Sequence, residues 1–218
     1  MINTDIQEYY ALRAGEYEKV YAHPAKQADI AWLRALLQRL LAGRHVLEVT
    51  CGTGFWTPAV AEVAASVLAT DLNESVLEIA KGKPYPRGNV RFQVADAFHL
   101  ENVTGDFDAG FAGFWWSHVS RPRLRDFLGA FHGRLGPGAR VVFADNNHVE
   151  GITHPASDHV DEEGNTYSRR TLESGRQYDI LKNFPTEAEV RGALCGLADD
   201  IRHFNSTFYW CVSYGTVS

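Results

Sequence analysis

The chain has 218 residues, with 21 Lys and Arg against 27 Asp and Glu, a formal charge of −6 and 45% hydrophobic side chains. That is enough apolar material for one domain with decorations, which excludes disorder for most of its length. An acidic chain without a run of Lys or Arg disfavours nucleic acid as a partner. No apolar stretch reaches the ~18 residues of a bilayer span, and the start lacks the basic-then-apolar order of a secretory leader. The expectation is a cytoplasmic protein with no membrane partner.

Residues 5–21 and 26–42 carry apolar side chains at helical spacing, in the second case Ile30, Leu33, Leu36, Leu37, Leu40 and Leu41 before Gly43 ends it. From residue 45 the pattern alternates. Strands are expected at 45–50, 67–71, 90–94, 107–113 and 139–145, and helices at 56–65, 74–81 and 122–135. This is the βαβ rhythm of a parallel sheet.

After Asp145 the rhythm breaks into a polar stretch, 146–165, and then two strand-like runs about Glu173-Ser174-Gly175, read as an inserted β-hairpin. Thr186 followed by Glu189 is a capping-box start for another helix, and 201–204 with 207–214 read as a closing antiparallel pair. The chain is thus expected to be a single domain, 1–218: an N-terminal helical cap (1–42), a cofactor-binding core (43–145), a substrate-side insertion (146–184) and a closing helix and strands (185–218). Cys51, Cys195 and Cys211 have no CxxC spacing, which fits neither a disulfide framework nor a zinc site.

The most informative segment is Glu48-Val49-Thr50-Cys51-Gly52-Thr53-Gly54, where a strand runs into a Gly-x-Gly turn and then a helix. Such a turn lets backbone approach a ligand at the carboxyl edge of the sheet. A dinucleotide fingerprint needs a third glycine where Thr57 stands, which weakens a nicotinamide-dinucleotide reading. Glu48 at the strand end suits a cationic ligand better than a pyrophosphate.

This E-x-x-x-G-x-G motif resembles the first motif of the class I S-adenosylmethionine-dependent methyltransferases of the small-molecule type. Further features follow in the family's order: Asp71 ending the second strand, Asp96-Ala97 after the third, Phe107-Asp108 opening the fourth, and Leu135-Gly136-Pro137-Gly138 before the fifth. The resemblance implies a Rossmann-like, doubly wound, mostly parallel seven-stranded α/β sheet with an antiparallel closing strand, and S-adenosylmethionine as cofactor. It assigns Asp71, with Leu72 and Asn73, to the ribose, Asp96, Ala97 and Phe98 to the adenine, and Glu48, Thr50, Gly52, Gly54, Trp56 and Gly113 to the rest of the cofactor. Tyr10, Arg13 and Tyr17 are similar to the Y-x-x-R-A-x-x-Y stretch that caps the cofactor, Arg13 being positioned for its carboxylate.

After the fourth strand, Trp115, Trp116 and His118 fall where the family places the transferable methyl, so the two rings are substrate-side candidates and His118 the candidate general base. Asn146 follows the fifth strand as a further substrate-side candidate. An Asp-Asn pair at that place also occurs in magnesium-dependent catechol O-methyltransferases, but the place of their other carboxylate holds Trp115, Trp116 and His118 here, so no metal is expected. His154, Asp158, His159, Asp161, Glu162 and Glu163 match no ligand spacing and read as a solvated loop. The expected activity is methyl transfer to an O or N nucleophile of a small organic molecule by a monomer or homodimer. A protein or peptide acceptor, and a non-catalytic S-adenosylmethionine binder, are the alternatives.

Overall fold

The computed structural model describes residues 5–153 and 159–217. Five parallel strands, β1 (His45–Val49), β2 (Ser66–Asp71), β3 (Val90–Val94), β4 (Ala109–Gly113) and β5 (Arg140–Asn146), form most of one sheet. The antiparallel pair β8 (Ala198–Asn205) and β9 (Tyr209–Thr216) completes it in the order β3-β2-β1-β4-β5-β9-β8. Register is fixed by apolar pairs such as Leu47 with Leu68 and Phe143 with Val212. A separate hairpin, β6 (Tyr167–Thr171) and β7 (Gln177–Leu181), pairs Ser168 with Ile180 and Arg170 with Tyr178.

Both faces of the sheet are covered, which is why its central strands read as nearly continuous apolar runs. On one face α2 (Gln27–Leu41) buries Ile30, Leu33, Leu36, Leu37 and Leu41 against Val46, Phe111 and Val142. On the other, α5 (Leu124–His132) sets Phe127, Leu128 and Phe131 on Phe143 and Tyr214, while α6 (Glu187–Ala193) adds Val190. Each such side chain contributes ~1.5–3 kcal/mol on burial. The capping box of α6 is present, with Thr186 Oγ1 accepting from the Glu189 amide and Glu189 reaching back to the Thr186 amide.

Local departures from the periodicity have physical causes. The helix expected over 56–65 is only α3 (Thr57–Ala61), because the chain must turn at once into β2, with the Ala65 amide bonded to the Arg44 carbonyl. Strand β4 starts two residues later than the apolar run, since the Asp108 carboxylate accepts from the His45 amide at 2.7 Å and ties off the strand's start. The first helix, α1 (Ile6–Arg13), tightens into a 3-10 turn over Ala14–Tyr21, where Gly15 weakens the α-helical preference.

This N-terminal segment and the hairpin form a roof over the carboxyl edge of the sheet. Tyr9, Leu172, Tyr178 and Ile180 make a small core of their own between α1 and the hairpin. Arg176 pairs with Glu8 at 3.0 Å and Lys19 with Glu173 at 2.7 Å along its rim. Glu18 accepts from Thr53 Oγ1 at 2.7 Å and pairs with Lys83, so the roof is also tied to the glycine loop.

Candidate cofactor and substrate site

The strand order reverses between β1 and β4, the position at which doubly wound sheets open a crevice beyond their carboxyl ends. The loops that leave these strands are held in conformations few side chains adopt: Thr50 has φ 55° and Phe114 φ 62°. Their strain is sustained by the surrounding packing and sits where a ligand would meet backbone. Gly52, at φ +55°, has nothing within 4 Å of the place a Cβ would take, so its backbone faces open space in the cleft.

The cleft, of about 970 Å³, is lined by Tyr10, Tyr17, Thr50, Gly52, Trp56, Asp71, Leu72, Asn73, Asp96, Ala97, Gly113, Trp115 and His118, all of them expected site residues. Asp71 is oriented by two backbone amides, Gly52 on Oδ2 and Asn73 on Oδ1, each at 2.9 Å. Burial raises its pKa, opposed by those amides. Each oxygen keeps a lone pair for a further donor. Asp96 accepts from the Phe98 amide at 2.9 Å. The indole Nε1 of Trp115 is buried on this wall with no acceptor among the described residues. A backbone cradle at Gly52, two carboxylates held at the strand ends and an unanswered donor fit a nucleoside-bearing cofactor that offers hydroxyls and ring nitrogens.

Several expected residues lie elsewhere. Glu48 is buried beneath the glycine loop, accepts from Thr57 Oγ1 at 3.1 Å, and is pushed up to about 8 by burial, opposed by that hydrogen bond. It is therefore largely protonated at neutral pH and presents no charge to a ligand. Gly54 turns away from the cleft: at φ +73° an added Cβ would lie 2.9 Å from the Cβ of Ala80 on α4 (Glu74–Lys81), so a close helix contact requires this glycine. Trp116 is core, edge-on to both Phe143 and Trp210. Phe98 packs on Trp115 and Phe127 under the Arg123 guanidinium, off the cleft wall.

Arg13 and Asn146 line a second cavity, which shares Tyr10, Tyr17, Tyr21, Phe114 and His118 with the first. The two hollows adjoin one another across these aromatic rings. Tyr10 and Tyr17 meet edge-on at 5.7 Å, so they are neighbours although the helix between them has tightened.

His118 is committed at both nitrogens. Nδ1 lies 2.7 Å from the Leu181 carbonyl, which only accepts, so Nδ1 carries the proton and Nε2 accepts from the Tyr10 hydroxyl at 2.8 Å. Burial, and then the Lys182 ammonium, lower its pKa to about 3. With both ring nitrogens engaged, His118 has no free acceptor for a substrate proton in this arrangement, and its bond to the hydroxyl fixes the Tyr10 ring.

Beneath it lies a pair that the sequence reading passed over. Lys182 donates to Asp145 at 3.0 Å and to Ser117 Oγ at 2.6 Å, while Asp145 also accepts from the amides of Ser117 and Asn146. Burial alone would raise the Asp145 pKa, but the ammonium and these amides hold it below the ordinary carboxylate range. Tyr178, Ile180 and Lys182 share one face of β7 and its continuation, so a lysine continuing an apolar face was the signal available in the sequence. Among the described residues no three His, Cys, Asp or Glu side chains converge as metal ligands, and His154 and Asp158 lie outside them.

A doubly wound sheet with a glycine loop at its switch point and a carboxylate ending its second strand defines a nucleoside-cofactor-binding α/β protein. A family described as "Methyltransferase domain" matches residues 46–138. The solved DhpI–SAH complex superposes with a TM-score of 0.73 at 28% identity, covering 97% of this chain and 95% of that one. A DhpI–SAM–HEP complex does so at 0.71 and 29%, covering 94% of each. A demethylmenaquinone methyltransferase of Lactococcus lactis subsp. lactis is 30% identical over 151 residues, 66% of this chain and 59% of its own length. The O-methyltransferase cnsE of Penicillium expansum is 35% identical over 107 residues, 47% of this chain and 38% of its own length. The chain thus spans less than two thirds of these two curated relatives. In its sheet and in its glycine loop it is similar to S-adenosylmethionine-dependent methyltransferases, and the two DhpI complexes hold SAH and SAM.

Proposed function

We propose that this chain transfers a methyl group from S-adenosylmethionine to an oxygen or nitrogen of a small molecule held in the second cavity. The observation that carries the reading is the shared aromatic partition: a molecule on each side meets the other only across Tyr10, Tyr17, Tyr21, Phe114 and His118. Bound in the first cleft, the cofactor supplies a methyl group already activated on a sulfonium sulfur.

The chain's own residues do the rest by placement. Asp71 accepts from the ribose hydroxyls while the Gly52 and Asn73 amides hold its orientation. Asp96 and Ala97 take the adenine edge, and the Gly52 backbone admits the methionine portion. The faces of Tyr10 and Tyr17 favour a positive charge beside them, and the roof keeps water from the reacting centre. His118 fixes the Tyr10 ring through its hydroxyl. With His118 engaged in this way, the acceptor supplies its own lone pair, and rate comes from proximity. A roofed cavity favours a small molecule, and its cationic side chains oppose a basic peptide.

Two measurements test this. Calorimetry with S-adenosylhomocysteine should show saturable binding that falls tenfold or more in Asp71→Ala, a lost charged hydrogen bond being worth ~1.5–3 kcal/mol. Incubation with cofactor and a panel of acceptors should yield S-adenosylhomocysteine and products heavier by one methyl. No binding would refute the assigned cleft, and binding without turnover on any acceptor would leave a non-catalytic binder.

A further inference from the structure

Phe98 lies off the wall of the first cleft, yet it belongs to the turn that carries two residues lining that cleft, Asp96 and Ala97. The turn is tight. The His99 amide bonds the Asp96 carbonyl at 2.9 Å, and the Phe98 amide bonds Asp96 Oδ1 at 2.9 Å. Among the described residues that amide is the only protein donor to the Asp96 carboxylate, which leaves Oδ2 for a ligand. The orientation of Asp96 therefore follows the placement of Phe98.

The Phe98 ring is placed by the chain that follows β4. Trp115 meets it at 6.5 Å and 69°, and Phe127 at 5.9 Å and 63°, both edge-on. Its third neighbour is the Arg123 guanidinium, from a 3-10 turn over Arg121–Arg123, whose central carbon stands 3.8 Å from the ring centroid. That is van der Waals contact, whereas the other cation–ring pairs among the described residues stand at 5.5–5.8 Å. Arg123 is exposed, and among the described residues its guanidinium makes no hydrogen bond or ion pair. A side chain that could extend into water lies on this ring instead. Neither Arg123 nor Phe98 lines either cavity, while Trp115 lines the first and not the second.

We infer that Arg123 is a positioning residue for the base of the cofactor: by holding the Phe98 ring it fixes the Asp96–His99 turn, so that the Asp96 carboxylate meets the adenine amino group. The inference rests on the reading of the first cleft as the S-adenosylmethionine site with Asp96 at the adenine edge, and it adds a residue outside the cleft to that site. A cation over a ring restrains it beyond what apolar contact supplies, and a carboxylate that is already oriented loses less freedom when its ligand arrives. The contact is exposed, so its effect is modest. It shows as selectivity for the amino group, because the methionine and ribose portions are assigned to the loops after β1 and β2, which Arg123 does not touch. A merely structural role would weaken every ligand of the cleft alike.

The test uses the full chain and two ligands, S-adenosylhomocysteine and S-inosylhomocysteine, in which a carbonyl replaces the adenine amino group. Calorimetry should find the first bound about tenfold or more tightly than the second, as the loss of a hydrogen bond to a charged group requires. Arg123→Gln should reduce that ratio about two- to fivefold, the worth of an exposed cation–ring contact, while S-inosylhomocysteine affinity changes by less than about 1.5-fold. Arg123 makes no capping bond to α5, so its replacement leaves the start of that helix as it is. Phe98→Leu should lower the ratio to a similar extent, and adding Arg123→Gln to it should lower it no further. An unchanged ratio in a folded Arg123→Gln protein, equal weakening of both ligands, or additive losses in the double variant overturns the proposal. A wild-type ratio near one overturns it too, by taking Asp96 off the amino group. Failure of S-adenosylhomocysteine to bind removes the reading of the cleft itself, whereas normal binding with no Arg123 effect removes only this proposal.

Discussion

Replacing Lys182 by Met should be among the more damaging single changes outside the apolar core. Asp145 is 0% exposed and Lys182 4%, and the variant leaves the carboxylate with the Ser117 and Asn146 backbone amides, at 2.9 and 2.7 Å, and the Asn146 side-chain amide at 3.2 Å. Breaking a buried pair by removing one partner costs ~3–5 kcal/mol, and the three surviving amide hydrogen bonds place this case near the lower end, about 3 kcal/mol at neutral pH.

The sign of the pH dependence follows. In the wild type the folded pKa of Asp145 is depressed, so its contribution is present above the unfolded value of ~3.9 and lost only as pH falls through the folded one. Without the ammonium, burial dominates and raises the folded pKa above ~3.9. The Asp145 contribution is then fully present only below that unfolded value and is lost as pH rises through the new folded one. The deficit relative to wild type should therefore be smaller at pH 5.5 than at pH 8. Urea unfolding at both values measures it, and Lys182→Met/Asp145→Asn should recover at least half of the loss with little pH dependence. A single-variant loss under 1 kcal/mol, or one equal at both pH values, would refute the argument.

Gly54→Val should lower stability as well as cofactor binding, because its Cβ falls 2.9 Å from that of Ala80 and its φ of +73° disfavours any L side chain. The backbone term alone is ~1–2 kcal/mol, and a thermal melt matching wild type would show that the loop does not pack on α4. Long-range nitrogen NMR should find His118 neutral and protonated on Nδ1 from pH 5 to 8, in keeping with its pKa of about 3 and its bond to the Leu181 carbonyl. A ring titrating near ~6.5, the free value, would restore His118 as a candidate base.

The sequence by itself determined the sheet, because hydrophobic period and glycine punctuation are local. Leu47 and Val49 face one layer and Val46 the other, and Gly43, Gly52 and Gly138 mark turns whose positive φ is their own property. The spacing from Glu48 to Asp71 and Asp96 carried the family, since it follows from strand and helix lengths within βαβ units. Tertiary structure decided what each marked side chain meets. Glu48 and Trp116 look like site residues in a motif yet are buried, and Gly54 serves helix packing, because a strand end has two faces and only one opens on the cleft.

The histidine's hydrogen-bond partners, Tyr10 and Leu181, lie respectively 108 and 63 positions away, and no local pattern reports such partners. The cationic cavity was illegible for the same reason. Arg13, Lys26, Arg170 and Lys182 come from α1, the turn before α2, the hairpin and the segment after it, and each alone reads as an ordinary surface charge. Only the packing of the hairpin and the N-terminal segment brings them to one hollow, because the charge pattern of a cavity is a property of juxtaposition rather than of composition.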